Sequence, residues 1–250
     1  MHVNSPPAID VQASDTSSRL LDVAERLFAE QGIETVSIRQ IVLASGQGNL
    51  SAAHYHFGSR EGLIRALLER RMVEVDSLRH QRLDCLVADG RDRDVDAIVG
   101  CAVGTLVDVL LTRPWGADYL RVVAQALFNR RINLLRTLNP QALSGLTRMT
   151  SMLREVLRPL SQTEFEVRMD ILRHETVYAF DRWLHHQVQP LAAVEDGLLQ
   201  LAAHVAVTMS HGMKAPPGRP SLGASSLSPA SVSGPDTSSI RKSAKRSSNG

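Results

Sequence analysis

Four polar side chains in one short stretch of the sequence are of types that can read the edges of DNA bases: Gln47, Asn49, Ser51 and His54. Asparagine and glutamine pair with adenine in the major groove, and small side chains allow close approach to a thymine methyl group. Including the small and apolar neighbours, the candidates for base contacts are Gln47, Asn49, Leu50, Ser51, Ala52 and His54.

The residues before this stretch predict a short helix that supports it. Ser37 and Gln40 have the spacing of a capping box, in which the serine hydroxyl accepts from one helix amide and the glutamine reaches back to another. Val36 and Ile41 have the spacing of a hydrophobic staple, which fixes the direction in which the chain enters the helix. Ser37 could also donate a hydrogen bond to a DNA phosphate, because the first amides of a helix favour anions.

A turn and a second short helix follow. Two glycines, Gly46 and Gly48, relax the backbone restrictions of a tight turn. Asn49 is a favourable N-cap for a helix over residues 50–56. Two short helices joined in this way predict a helix-turn-helix, whose second helix enters the major groove.

The residues around this pair of helices resemble the DNA-binding domain of the TetR family of bacterial transcriptional regulators. The stretch from Tyr55 to Leu63, YHFGSREGL, is similar to that family's signature of Tyr/His-Phe, Ser-Lys/Arg and Leu. A preceding helix with Ala24, Phe28 and Gly32 is also similar, and the resemblance covers residues 18–66. The turn at 46–49 is one residue longer than the common pattern, so the register of the base-reading residues stays open by one position.

The resemblance implies phosphate contacts beside the base contacts. It places Tyr55 and Arg60 on the DNA backbone, while His56 is either a contact or a core residue. The complete predicted DNA-binding set is Ser37, Arg39, Gln47, Asn49, Leu50, Ser51, Ala52, His54, Tyr55, His56 and Arg60.

Composition and charge limit the other function classes. The net charge is only +2, so DNA binding must depend on a local arrangement, and five arginines face two glutamates between positions 39 and 71. The sequence has no Gly-x-Ser-x-Gly nucleophile motif and no glycine-rich phosphate loop, which argues against an enzyme. His54 and His56, two positions apart on a helix, do not face each other, so we expect no metal site and no cofactor.

The remaining sequence signals favour a cytoplasmic protein. Residues 1–15 lack the pattern of a signal peptide. We also expect no apolar stretch of the length that spans a membrane. Cys85 and Cys101 do not have metal-ligand spacing, and we interpret them as reduced thiols.

Helical periodicity and helix-breaking residues predict an all-α protein with two folded domains. We expect a flexible arm at 1–15, a helix-turn-helix domain of three helices at 16–62, a larger helical domain at 63–211, and a disordered Ser/Pro/Gly-rich tail at 212–250. The basic tail residues, including Arg241 and Lys245, are either solvated or a nonspecific phosphate-binding arm. The predicted helices cover residues 16–31, 37–45, 50–56, 59–86, 95–111, 119–135, 142–157, 163–188 and 193–209.

The resemblance implies that the larger domain binds a ligand and forms a dimer. Large apolar and methionine side chains can line an adaptable cavity, although such residues more often form ordinary core. The predicted ligand-binding residues are Leu106, Leu110, Trp115, Tyr119, Phe128, Met149, Met152 and Phe180. The last two long helices would supply the dimer surface, or half of their apolar residues would face their own core; these residues are Tyr178, Phe180, Trp183, Leu184, Leu198, Leu201 and Val205.

The sequence therefore predicts a DNA-binding transcriptional regulator. One reading helix contacts only a few base pairs, so we expect a homodimer on a palindromic, double-stranded operator. We expect a repressor that a small apolar effector releases by favouring a state whose half-site spacing no longer fits DNA. The alternatives are a dimeric DNA-binding protein without an effector and an all-α enzyme.

Overall fold

The computed structural model describes residues 9–46, 50–129 and 138–217. Within these ranges the chain forms nine α-helices and no strand, which confirms the predicted all-α fold. The helices are α1 Ile9–Gln31, α2 Ile38–Ala44, α3 Leu50–Phe57, α4 Arg60–Ala88, α5 Val95–Thr112, α6 Gly116–Phe128, α7 Ser144–Val156, α8 Gln162–His186 and α9 Glu195–Lys214.

Helices α1, α2, α3 and the first turns of α4 pack together, and their buried side chains belong to a core that continues into the later helices. Phe28 of α1, Ile41 of α2, Ala53 of α3 and Leu63 of α4 are all buried there. Each helix therefore contributes an apolar side chain to the support of the two short helices, as their sequence periodicity predicts.

Helix α1 begins earlier than its predicted cap at Thr16. It starts at Ile9, because residues 9–15 contain neither proline nor glycine and nothing stops the helix from extending toward the amino end. The predicted flexible arm therefore overlaps with α1, and residues 1–8 lie outside the described residues. The helix ends at Gln31 as predicted, where Gly32 adopts a φ of +96°.

Helix α4 connects the helix-turn-helix to the larger set of helices. It has 29 residues and contacts α1 and α3 near its start and α5 and α7 farther along. At about 1.5 Å per residue, it spans about 40 Å. The predicted helix at 59–86 is therefore present, and any change in its tilt moves the helix-turn-helix.

Helix α5 corrects the expectation about apolar length. Its 18 residues, Val95–Thr112, have a mean hydropathy of 1.9, which is enough by length and composition alone to cross a membrane. Half of this segment is buried inside the protein, and α5 packs against α4 and α9. Asp108 of α5 also forms an ion pair with Arg82 of α4 at 2.5 Å. These contacts are those of a central core helix, as its nearly uniform apolar surface predicts.

The later helices begin and end close to the predicted positions, with two differences. Helix α6 begins at Gly116, three residues before the predicted start. Residues 130–137, which include the predicted end of this helix, lie outside the described residues. Helix α9 continues through Gly212 to Lys214, into the predicted tail, where the Lys214 ammonium lies 2.6 Å from the Asp96 carboxylate. The rest of the predicted tail, 218–250, is not described.

Candidate functional sites

The start of α2 has the predicted capping geometry. The Gln40 amide donates to the Ser37 hydroxyl at 3.3 Å, and the Ser37 amide donates to the Gln40 side chain at 2.8 Å. Val36 and Ile41, the predicted staple, are both buried. Ser37 itself is exposed, so its cap role leaves it at the surface beside exposed Arg39.

Helix α3 has one buried side and one side that faces solvent. Ala53 is buried, whereas Ser51, His54 and Tyr55 are exposed, and 87% of Tyr55 is accessible. His54 is held by its own helix end, with Nδ1 3.3 Å from the Gly58 carbonyl oxygen. An exposed, polar helix face on an apolar frame has the form that enters the major groove.

The other predicted DNA contacts between positions 47 and 56 are half-buried or have side chains that lie outside the description. His56 is half-buried, and its ring makes an edge contact with Tyr55 at 5.4 Å between centroids, so it is partly a packing residue. Gln47 and Asn49 lie outside the described residues. Leu50 and Ala52 lie in α3, but their side chains are not described, so all four base contacts stay predictions.

A sharp corner joins α3 to α4. Gly58 adopts a φ of +68°, a left-handed conformation that glycine tolerates best. The Ser59 hydroxyl then caps α4 by accepting from the Gly62 amide at 3.0 Å. A Cβ on Gly62 would lie 2.0 Å from the Phe57 carbonyl oxygen, so this position has no room for a side chain. The glycines of the signature stretch therefore have steric causes.

Arg60 has an internal partner that the sequence does not reveal. Its Nε donates to the Val36 carbonyl oxygen at 3.0 Å, and its Nη2 is buried without a protein partner. Arg60 therefore ties the start of α4 to the residue before α2. Its predicted phosphate contact stays a prediction, with part of the guanidinium already used inside the domain.

Ion pairs within the protein neutralise two of the five local arginines. Arg71 is buried and donates to the Glu25 carboxylate at 2.5 Å, and Arg70 pairs with Asp22 at 2.7 Å. Burial raises the pKa of Glu25, while hydrogen bonding and charge from Arg71 oppose that rise. Arg39 and Arg65 remain exposed. The cationic surface near α3 is therefore smaller than the residue count indicates.

A cavity of about 100 Å³ lies within the larger set of helices. Its walls come from α4, α5, α6, α7 and α8. The lining residues are Met72, Arg79, Ala102, Leu106, Tyr119, Val123, Leu127, Leu146, Met149, Leu172, Arg173, Thr176 and Val177. A mostly apolar cavity with a few polar groups is the common form of a small-molecule site.

Three of the eight predicted ligand residues line this cavity: Leu106, Tyr119 and Met149. The others lie elsewhere, because apolar character alone does not tell which side of a helix faces the cavity. Leu110 and Phe180 are fully in the core, and Met152 packs against a second core cluster. Trp115 lies under the Arg71 guanidinium at 4.4 Å, and Phe128 is 56% exposed.

The cavity also has polar residues that the sequence reasoning missed. Arg79, Arg173 and Thr176 line it, and no regular spacing or motif marks them as a set. Tyr119 donates its hydroxyl to the Met72 sulfur at 3.7 Å, and burial raises the pKa of this tyrosine.

One side chain of α6 joins the cavity helices to the end of α1. The Gln125 side chain accepts from the Ile33 amide at 2.6 Å and donates to the Phe28 carbonyl oxygen at 3.0 Å. A second bond joins Asn129 to Glu34. The end of α1 is therefore held by α6, which also forms one wall of the cavity.

The last two helices keep part of their apolar surface exposed. Phe180, Leu184, Leu198 and Val205, predicted for a dimer surface, are instead buried within their own chain, as the alternative interpretation held. Other positions recur at helical spacing on the outside. The exposed apolar residues of α8 and α9 are Val167, Ile171, Tyr178, Leu199 and Val207.

The described residues contain no group of three or more His, Cys, Asp and Glu side chains positioned to hold a metal ion. Both cysteines are free thiols, with Cys85 exposed and Cys101 buried.

Comparison with known proteins agrees with the geometry of the first four helices. Residues 20–67 match the family described as "Bacterial regulatory proteins, tetR family". A 66-residue segment is 38% identical to the HTH-type transcriptional repressor KstR2 of Rhodococcus jostii (strain RHA1). This segment is 25% of the present chain and spans about a third, 31%, of that curated relative.

Solved structures resemble the chain over most of its length. A tetR family transcription regulator from Shewanella sp. PV-4 has a TM-score of 0.56 at 15% identity, over 79% of this chain and 95% of that one. The fatty acid degradation regulator FadR from Bacillus halodurans has a TM-score of 0.53 at 16% identity, over 80% and 99%. At these identities the likeness concerns the fold, including the helices beyond the family match.

Proposed function

We propose that this chain, which carries the DNA-binding domain of the TetR family at residues 20–67, is a homodimeric transcriptional regulator of a palindromic operator. In this proposal it is a cytoplasmic repressor without catalytic activity, and a small, mainly apolar effector releases it from DNA. The folded regions would be the helix-turn-helix domain at 16–62 and the effector-binding and dimerisation domain at 63–211.

The outward face of α3 is the observation that supports DNA binding most directly. Ser51, His54 and Tyr55 lie exposed on a short helix whose opposite side, at Ala53, is buried. A face with hydroxyl and imidazole groups offers donors and acceptors to base edges and phosphates. We assign base reading to His54 and phosphate contact to the Tyr55 hydroxyl.

The cavity supports regulation by an effector. It is bounded by α4, which continues into the DNA-binding domain, and by α6, which holds the end of α1 through Gln125. An effector shifts the equilibrium only if it binds the released state more tightly than the DNA-bound state. We propose that the released state has α4 tilted, so that the two reading helices no longer match successive major grooves.

The exposed apolar residues of α8 and α9 support a homodimer. Val167, Ile171 and Tyr178 are four and seven positions apart, so they lie along one side of α8. An apolar side of this kind, left open on two neighbouring helices, is a typical interface feature.

Selection of bound sequences from random DNA by the purified chain tests the proposal. We expect an enriched palindrome whose half-site centres are about 34–36 Å apart, or a multiple of that distance. Enrichment of a single unpaired half-site would contradict the dimer, and no enrichment would contradict sequence-specific DNA binding.

Two variants of α3 extend this experiment from the operator to its contacts. His54→Ala should lower affinity for the selected operator more than for random DNA, because a base contact discriminates between sequences. Tyr55→Phe keeps the ring contact with His56 and removes only the hydroxyl, so it should weaken both by a similar factor of roughly five. Anisotropy titrations with both DNAs measure the two ratios, and equal losses for His54→Ala would place His54 on the backbone.

A further inference from the structure

Two buried polar groups on the cavity wall have no partner within the described protein. They are Nε of Arg79 on α4 and the hydroxyl of Thr176 on α8. Arg79 is 7% and Thr176 4% exposed, so bulk water does not serve them freely. A buried donor left without an acceptor is destabilising, so two on one cavity point to a bonding partner that a ligand would supply.

The conformation of Thr176 sets it apart from other threonines in these helices. Thr105 donates to the Cys101 carbonyl and Thr150 to the Leu146 carbonyl, each four residues back. This bond is the usual way for a helical threonine to satisfy its hydroxyl. The Thr176 hydroxyl has no such bond and belongs to the cavity lining.

Asp76, the partner of Arg79 within the protein, also accepts hydrogen bonds from other donors. Arg79 donates through Nη1 to Asp76 at 2.6 Å. The Asp76 carboxylate also accepts from the amides of Gly145 and Leu146, at 2.6 and 3.1 Å, and from the Ser144 hydroxyl at 2.9 Å. The carboxylate is thus well supplied with donors, and the other donors of the guanidinium fork remain for a second acceptor.

The charged residues of the cavity lining are both arginines, and their acidic partners lie outside the lining. Arg79 and Arg173 are in the lining, and the described lining residues include no carboxylate. Arg173 is partly exposed and pairs with Asp170, which leaves Arg79 as the enclosed cation. Arginine is well suited to bind a carboxylate through two parallel hydrogen bonds.

We infer that the effector cavity binds a small apolar molecule with one carboxylate, which accepts hydrogen bonds from Arg79 Nε and the Thr176 hydroxyl. The inference rests on the proposed function and narrows its effector from an apolar molecule to an organic monoanion. Leu106, Val123 and Met149 would contact the apolar part. The volume of about 100 Å³ limits that part to about one ring or a short chain.

Thermal-shift and calorimetric titrations of the full chain test this inference with benzoate, phenylacetate and hexanoate against their primary amides. Each amide matches its acid in shape but lacks the charge. We expect the acids to raise the melting temperature with concentration and the amides to bind at least about tenfold more weakly. Equal binding of acid and amide, or no binding of any acid, would overturn the inference.

Thr176→Val provides the most specific variant. Because the hydroxyl has no partner in the free protein, its removal should leave the unliganded melting temperature unchanged or higher. Acid affinity should fall about tenfold. Thr105→Val is the matched control, since Thr105 is also a buried threonine but lies outside the cavity lining, and it should keep acid affinity. Unchanged acid affinity in Thr176→Val would remove Thr176 from the site.

Arg79→Lys tests the second donor without leaving Asp76 unpaired. Lysine keeps the charge but lacks Nε and the planar fork, so acid affinity should again fall about tenfold, whereas retained affinity would contradict the assigned contact.

Gel retardation of the selected operator in the absence of any acid separates the two proposals. Failure of DNA binding contradicts the proposed function alone, and DNA binding without acid binding contradicts this inference alone.

Discussion

Glu25 and Arg71 form an enclosed ion pair between α1 and α4, and the guanidinium lies over the Trp115 ring. The carboxylate comes from α1, the guanidinium from α4 and the ring from the turn before α6. Three separate parts of the chain therefore meet at one charge. Removal of one member of such a pair costs more than removal of both, because it leaves a buried charge without compensation.

Replacing Arg71 by methionine should destabilise the protein by about 3–5 kcal/mol at pH 8. The loss should be smaller at pH 5. Burial already raises the pKa of Glu25 above its unfolded value, so the native state binds more protons and its stability falls as pH rises. Without Arg71 the pKa rises further, which enlarges this dependence. Chemical denaturation at the two pH values measures the difference.

The double variant Glu25→Gln/Arg71→Met is the control for that measurement. It carries no buried carboxylate at this position, so it should recover part of the lost stability and most of the pH dependence should disappear. A loss in Arg71→Met that does not change between pH 5 and pH 8 would assign the effect to packing on Trp115 instead.

At the scale of elements, Gln125 makes two direct hydrogen bonds between α6 and the end of α1. Gln125→Ala leaves the Ile33 amide without its acceptor, which should cost about 1–3 kcal/mol and lower the melting temperature by several degrees. Amide hydrogen exchange should accelerate at Ile33. The experiment is a thermal melt together with exchange resolved by residue.

Gln200→Ala is the control for this prediction, because Gln200 is exposed on α9, and it should change stability by less than about 0.5 kcal/mol. Unaltered exchange at Ile33 in Gln125→Ala would show that packing alone holds α1 against α6.

The ends of the elements show how far the sequence determines the fold. Ser37, Gly32 and Ser59 mark helix ends correctly, since caps and left-handed glycines act on their immediate neighbours. The start of α1 and the end of α9 differ from the prediction. Residues 9–15 contain no helix breaker, so α1 extends beyond its predicted cap, and α9 passes through Gly212 without ending. Helix α9 continues to Lys214, which pairs with Asp96 across 118 positions. Such long-range contacts leave no local pattern.

The two candidate sites also differ in how far the sequence predicts them. The exposed face of α3 could be predicted because a resemblance and a helical period both point to it. The cavity could be predicted only in part. Leu106 and Met149 were recognisable as apolar, but Arg79 and Thr176 take their significance from what lies opposite them in space. The spacing of residues along the sequence does not show which residues of other helices lie opposite them.

At the scale of the whole molecule, the proposed binding of two α3 helices to one operator requires a stable contact between two chains. Ile171→Glu with Val207→Glu places charges on the exposed apolar surface of α8 and α9. We expect a folded monomer whose operator affinity falls by at least about a hundredfold, since each half-site then binds alone. Sedimentation analysis and gel retardation measure the two effects.

Val87→Glu is the control for the dimer prediction, because Val87 is equally an exposed apolar residue but lies at the end of α4. It should leave the association state and operator binding unchanged. A double variant that stays dimeric would place the interface on another surface.

The Asp76 carboxylate of α4 accepts hydrogen bonds from the first amides of α7, and this contact has a consequence for synthesis of the protein. Asp76 receives its Ser144 partner from 68 positions downstream. A ribosome therefore completes the helix-turn-helix, and Arg79 on the same helix as Asp76, well before the donors of α7 have been synthesised. A chain that stops short of position 146 would contain the helix-turn-helix but lack part of the cavity wall and all of α8 and α9. We therefore expect premature termination to yield a monomer that binds the proposed operator weakly and does not respond to an effector.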